Sequence, residues 1–442
     1  MRKSLAFASP VFLVLTLQPI GLIWAAWVAF VPLLYSIGSH PKPIRDAFIG
    51  LAIGLLYNAL ALYWIFYYSV FIFFKVVPLC ALPWGIFAGL VSLAESRLSF
   101  RNRLLGSAAR VFIPPSLWVL LTIPFQFSPV GALPLEIPFY QPLPLLQLAS
   151  IGGMPLISFL VLSMNSALAL SLREKRKEIT VMVLLLLTVV LSATAWGFVR
   201  LAQPSPGKIP VALIQTNLPM SDVWRKEHIG LIREKYAALA REAARSKPAL
   251  IFFPQYNLLS DVYREPEFFN QLARETGAFI VLGTYTPGQA EVSPEIGGRY
   301  NIALVFSPEE GLVGAYRATQ GPPFREIGQL FGKEFPLIKT PAGQMGLLLC
   351  FEDTIPSVSK TWAKKGADFL VVLSNTGHFT KTTVPRYHLI QDQLRALETG
   401  RELIRVTPHG YSAVIDSRGR FRVLSKLGRE EILLASLPTQ RG

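Results

Sequence analysis

Up to about residue 200 the chain carries one long apolar run after another. From Lys208 onward no run is long enough to cross a bilayer. A membrane helix needs about 20 consecutive apolar residues. Runs that approach or exceed this length lie near 5–18, 20–38, 47–73, 77–94, 108–124, 151–171 and 179–199, about seven spans. The first two share one stretch broken at "LQPIG", so residues 5–38 read either as two helices or as a single long one. No A-x-A cleavage site precedes the next apolar stretch, so the N-terminal run is expected to be retained rather than removed as a signal peptide. The predicted domains are therefore 1–203, helical and membrane-spanning, and 204–442, with "RLAQPSPGK" as the linker between them.

The net charge of +15 would suit a nucleic-acid binder, but in a membrane protein basic loops near lipid headgroups account for it. The clusters are "MRK", "HPKPIR", "ESRLSFRNR" and "LREKRKE". With seven spans and a cytoplasmic start, all four fall on the cytoplasmic side. Residues 125–150, without Lys or Arg, then fall outside. The polar half is expected outside as well, with membrane lipids as neighbours and no nucleic-acid partner.

That half alternates between strands and helices. "IPVALIQT", "PALIFFP", "AFIVLGTY", "NIALVFS", "GLLLCF", "ADFLVVLSN", "LIRVTPHGYSAVID" and "FRVL" read as strands, "HIGLIREKYAALAREAARSK" and "EFFNQLARET" as helices. Apolar strands joined by helices imply an α/β domain with a covered sheet. There is no P-loop, no dinucleotide fingerprint and no pair of Cys or His at metal spacing, so neither metal nor organic cofactor is expected. The end, "EEILLASLPTQRG", has too few apolar residues to cross a bilayer.

Only two cysteines occur. Cys80 lies in the apolar block "FKVVPLCALPWGIF" and reads as a buried helix residue. Cys350 ends the strand "GLLLC" and precedes a helix-forming stretch, which places its thiol at the carboxyl end of a sheet, where backbone N–H groups can hold an oxyanion. A thiol with an ordinary pKa near 8.5 is only a few per cent thiolate at neutral pH. A nucleophile there needs a base and a cation.

The order of "LIQTNLP" followed by Trp224, "FFPQYNLL", "YNIALVF", "PPFRE", "LLLCFE", "LSNTGHF" and "RALETGRELIRVTPHGYSAVID", behind membrane spans, resembles the nitrilase superfamily and, within it, the apolipoprotein N-acyltransferases. The resemblance implies a four-layer α/β sandwich with a Glu–Lys–Cys set. It also implies acyl transfer from a phospholipid donor to the N-terminal cysteine of a lipoprotein acceptor, through a thioester, in the bacterial plasma membrane with the sandwich on the outer face. Carried over by position, the catalytic residues are Cys350, Gln255 and Glu326, and the substrate-binding residues are Glu352, Asn375 and Trp224. Two positions depart from the pattern: Gln255 stands where the base glutamate is expected, and Ala318 where the lysine is expected. Neighbouring Arg317 points to the opposite face of its strand. An enzyme with Glu326 as a substitute base and a catalytically impaired relative that binds lipid or lipoprotein are the two readings this leaves; a small-amide hydrolase is a third.

Overall fold

The structure, a computed structural model, describes residues 4–98, 101–127, 140–204, 207–218, 226–255, 262, 266–287, 299–322 and 329–438. It divides into two compact units, Met1–Gln203 and Pro204–Gly442.

Among the described residues of the first unit, five helical segments are long and apolar enough to cross a membrane: Pro43–Ala61, Val70–Arg97, Arg103–Phe127, Ala149–Arg173 and Lys177–Ala202. The sequence predicts about seven spans. The two segments ahead of these, Ser4–Thr16 and Ile23–Ser39, are shorter apolar helices. The break between them contains Pro19 and Gly21, the latter at φ 62°. At 1.5 Å per residue, the first of these short helices falls well below a bilayer core of about 30 Å. The expected boundary near residues 73–77 also moves. The chain breaks instead at Ser69, whose hydroxyl accepts from Ile72 N at 3.4 Å and caps Val70–Arg97. That helix continues through Pro78 and Pro83, as membrane helices can when neighbours re-satisfy the freed backbone groups. The aromatic run Tyr63–Tyr68 forms a separate short helix before this cap.

Asn165 shows why the first unit tolerates irregular backbone. It is fully buried; its Oδ1 accepts from Phe30 N at 2.8 Å and its Nδ2 donates to Ala26 O at 3.0 Å. One side chain therefore satisfies two groups that the broken helix leaves open. Elsewhere Arg173 meets Glu95 and Arg110 meets Glu174, so the ends of three long helices share one ion-pair cluster.

The second unit is a sandwich of two sheets. One contains β1 (Ile209–Gln215), β2 (Leu250–Gln255), β3 (Phe279–Pro287), β4 (Arg299–Ser307), β5 (Gly311–Arg317), β6 (Gln329–Leu330) and the last strand β13 (Glu431–Leu437), in the order β13-β1-β2-β3-β4-β5 with β6 on β4. The other runs β12-β11-β10-β9-β8-β7, where β7 is Ile338–Thr340, β8 Gly343–Leu349, β9 Phe369–Leu373, β10 Glu402–Val406, β11 Ala413–Ile415 and β12 Phe421–Leu424. Period-two alternation explains the layers. In β1, Val211 and Leu213 join the core between the sheets, while Ala212 and Ile214 pack outward with Ile232, Tyr236 and Leu272 of the helices Ile229–Ala244 and Glu267–Thr276. On the other side Val358 and Trp362 of Pro356–Lys365 and Leu389 and Ala396 of Val384–Thr399 close the inter-sheet core. The layers are thus helix, sheet, sheet, helix.

Candidate active site

β8, β9 and β10 run parallel, with Leu349 beside Leu373 and Leu373 beside Val406. Their carboxyl ends form one edge, and Cys350 stands on it. Its backbone adopts φ 51°, a conformation that L residues other than Asn and Asp rarely take. A tight turn, Cys350–Thr354, follows before the helix Pro356–Lys365. The strained φ is held because Glu352 locks the turn from behind: its Oε2 accepts from Leu349 N at 2.9 Å, across the cysteine. Cys350 as a residue is half-buried. Burial, then the Asp353 carboxylate, push its thiol up to about 11, against the opposing pull of the Asn375 backbone, Ser374 and Arg405.

Glu352 is itself fully buried. Its Oε1 accepts from the Tyr316 hydroxyl at 2.7 Å, from Thr319 N and Oγ1 at 2.8 and 2.9 Å, and from Gln320 N at 3.3 Å. These donors follow β5, so the carboxylate ties the cysteine turn to the segment carrying position 318. The structure surrounds this expected substrate-binding residue with protein donors. Burial pushes the Glu352 carboxyl up to about 7, partly offset by these hydrogen bonds. Because that value stands above the unfolded glutamate value of about 4.3, the folded state holds the proton more tightly. The resulting stability is complete near pH 4 and is lost as pH rises through about 7. Thermal scans of the detergent-solubilised full chain are expected to show a melting temperature that falls between pH 5 and 7.5. Glu352→Gln, which cannot titrate, should flatten the slope; equal slopes would refute this origin.

Gln255 ends β2, fully buried. Its Nε2 donates to Asn301 Oδ1 at 2.6 Å, and its Oε1 has no partner among the described residues. Facing it, Gly283 leaves room: a Cβ there would lie 3.0 Å from the Cα, Cβ and Cγ of Gln255. Ala318 is buried, and its N–H donates to Asn301 O at 2.9 Å. A continuous set of contacts therefore joins Gln255, Asn301, Ala318, Thr319, Glu352 and the Cys350 turn. Arg317 is exposed and stacks on the Tyr300 ring, 4.9 Å from its centroid. Its guanidinium does not replace the absent lysine. Asn375 Oδ1 accepts from Gly377 N at 2.9 Å, shaping the loop beside the thiol. Glu326 and Trp224 lie outside the described residues.

Beneath the cysteine is a charge cluster that the sequence reading did not single out as a unit. Asp353 accepts from His388 Nδ1 at 2.7 Å and from Arg405 Nη1 at 2.7 Å, and the same Nη1 donates to Asp392 Oδ2 at 2.7 Å. All four residues are buried. The available signal was Arg405 itself, a charge inside the strand "ELIRV", because a buried arginine requires partners.

Fold and site together define an α/β sandwich that presents a cysteine at the carboxyl ends of three parallel strands of a mixed sheet, in a chain that also carries helices of membrane length. Residues 210–441 match the carbon-nitrogen hydrolase family, and residues 9–167 match the apolipoprotein N-acyltransferase N-terminal domain. The chain belongs to the carbon-nitrogen hydrolase (nitrilase) superfamily, within its apolipoprotein N-acyltransferase group. It is 29% identical to an apolipoprotein N-acyltransferase of Geobacter metallireducens, across 97% of this chain and 88% of the relative. It is 26% identical to one of Nostoc sp., across 92% of this chain and 87% of that one. Among solved structures, a carbon-nitrogen hydrolase from Helicobacter pylori is 20% identical with a TM-score of 0.45, covering 52% of this chain and 89% of that protein.

Proposed function

We propose that the protein transfers an acyl chain from a phospholipid to the N-terminal cysteine amine of a lipoprotein. The observation that carries this reading is the presence of both domain matches in one chain, over residues 9–167 and 210–441, with Cys350 at the strand-end turn of the second. Cys350 Sγ attacks the donor's ester carbonyl. The C–O bond breaks, the lysophospholipid alcohol leaves with a proton, and a thioester remains. The lipoprotein α-amine then attacks the thioester carbonyl, forming the amide and returning the thiol. Two successive transfers through a covalent intermediate imply ping-pong kinetics.

Glu326 takes the proton of the thiol, since the Gln255 amide has no basic site. Asn375 and Trp224 contact substrate, whereas Glu352 holds the turn. The chain lies in the bacterial plasma membrane with the sandwich on the outer face. Supporting this, the basic stretches near residues 40–45, 97–103 and 173–177 fall at one set of helix ends, and Ala202 closes the last helix at the other. Two leading helices leave this parity unchanged when both cross or when neither does.

The test is a purified full-length preparation, given a phospholipid with a labelled acyl chain and a diacylglyceryl-cysteine peptide. Label should reach the peptide amine. Glu326→Gln should slow formation of the labelled acyl-enzyme by about 10²-fold, as loss of a general base does. Absence of peptide labelling, under conditions where a relative transfers the chain, would overturn the proposal; an unchanged acyl-enzyme rate in Glu326→Gln would remove that residue from it.

A further inference from the structure

Among the described residues, the position expected to bring a cation to Cys350 brings none. Position 318 holds alanine, and Arg317 is turned to the surface. We propose that Ser374 and Arg405 supply this positive potential by relay: the Ser374 hydroxyl donates to the Cys350 sulfur while Arg405 donates to the Ser374 oxygen. Ser374 is then a catalytic residue, touching the reacting atom, and Arg405 a positioning residue acting through it. The inference rests on Cys350 being the nucleophile proposed above.

The parallel register builds the relay. Leu349 pairs with Leu373 and Leu373 with Val406, so Cys350 and Ser374 are the next residues beyond two neighbouring strand ends. Ser374 N donates to Val406 O at 3.0 Å, which fixes the serine against β10. Arg405, one residue earlier on that strand, is fully buried, and its Nη2 donates to Ser374 Oγ at 3.2 Å. A hydroxyl has one proton and two lone pairs, so it can accept from the guanidinium and donate to sulfur at the same time. Ser374 and the Arg405 charge both act to lower the thiol's pKa, against burial and Asp353.

Among the described residues the surrounding charges are these. The turn contributes Glu352 and Asp353, and β10 contributes Arg405. The helix Val384–Thr399 contributes His388, Asp392, Arg395 and Glu398, with Arg395 paired to Glu398 at 3.1 Å and Lys360 of the preceding helix 3.6 Å from the same carboxylate. From the facing sheet, positions 255 and 318 bring no charge. Burial pushes Asp392 up to about 7 against the pull of Arg405. Burial thus disfavours the Asp392 charge, so it offsets the guanidinium less than a solvated carboxylate would.

The test is the rate of iodoacetamide alkylation of Cys350 against pH, read by peptide mass spectrometry on the full chain in detergent. Ser374→Ala should raise the inflection by about one pH unit, a tenfold slower reaction below it. Ser374→Thr, which keeps the hydroxyl, should stay near wild type. An inflection unmoved by Ser374→Ala overturns the relay. Should that variant fail to fold, Asp392→Asn gives the second reading: with one carboxylate removed from Arg405 the inflection should fall, and an unchanged inflection overturns the coupling. Alkylation needs no acyl donor, so a shifted inflection in a protein that transfers no acyl chain strikes the proposed function and leaves the relay standing.

Discussion

Cys350→Ala is expected to abolish formation of the acyl-enzyme, and with it all transfer to the acceptor amine. The reason is geometric as well as chemical. Cys350 occupies a turn at φ 51°, one residue past the end of β8 and beside the end of β9. Among the described residues no other cysteine stands at the sheet edge, since Cys80 is buried in the helix Val70–Arg97. No neighbouring thiol can take over, and a loss of about 10³-fold or more is the natural scale for removing a covalent nucleophile. A lipid-like fluorophosphonate probe gives the direct measurement: the wild-type chain should be labelled and Cys350→Ala should not. Persistent labelling of the variant at another residue would remove Cys350 from the chemistry.

The second large effect is a gain. Gln255→Glu combined with Ala318→Lys should accelerate acyl-enzyme formation by about 10²-fold or more, because it adds a proton acceptor and a cation together. Neither change should deliver this alone. Gln255 is fully buried and bonds Asn301, so a lone glutamate would be an unpaired buried carboxyl; desolvation would favour its protonated, non-basic form. A lone lysine at buried position 318 would face the converse penalty. Each new charge relieves the other, so the double variant should exceed the product of the single effects. Initial rates of the four proteins form the cycle that measures this coupling. A double variant no faster than wild type would show that these two positions no longer address the thiol.

Much of the fold was legible because its signals are local. Bilayer-length apolar runs, apolar strands such as "IPVALIQT", and the turn after "GLLLC" depend on residues close in sequence. The Arg395–Glu398 pair is equally local, its two residues being one helical turn apart. The break at Ser69 was harder to read, since the apolar run passes through it unchanged and only a capping hydroxyl marks the new helix. The roles around Cys350 were harder still. Glu352 reads as an acid in a first helical turn, yet its partners Tyr316, Thr319 and Gln320 come from more than 30 residues away.

By itself the amino-acid order determined where apolar surface must be hidden, in lipid or between sheets, and which strand end would carry a thiol. Those outcomes follow from burial periodicity, which any short window displays. The tertiary structure alone decided which charges meet beneath that thiol. Asp353, His388, Asp392, Ser374 and Arg405 come together only when β8, β9 and β10 settle into one parallel register. That register is set by packing of the whole sandwich, and a low-dielectric interior then makes each of those pairings strong.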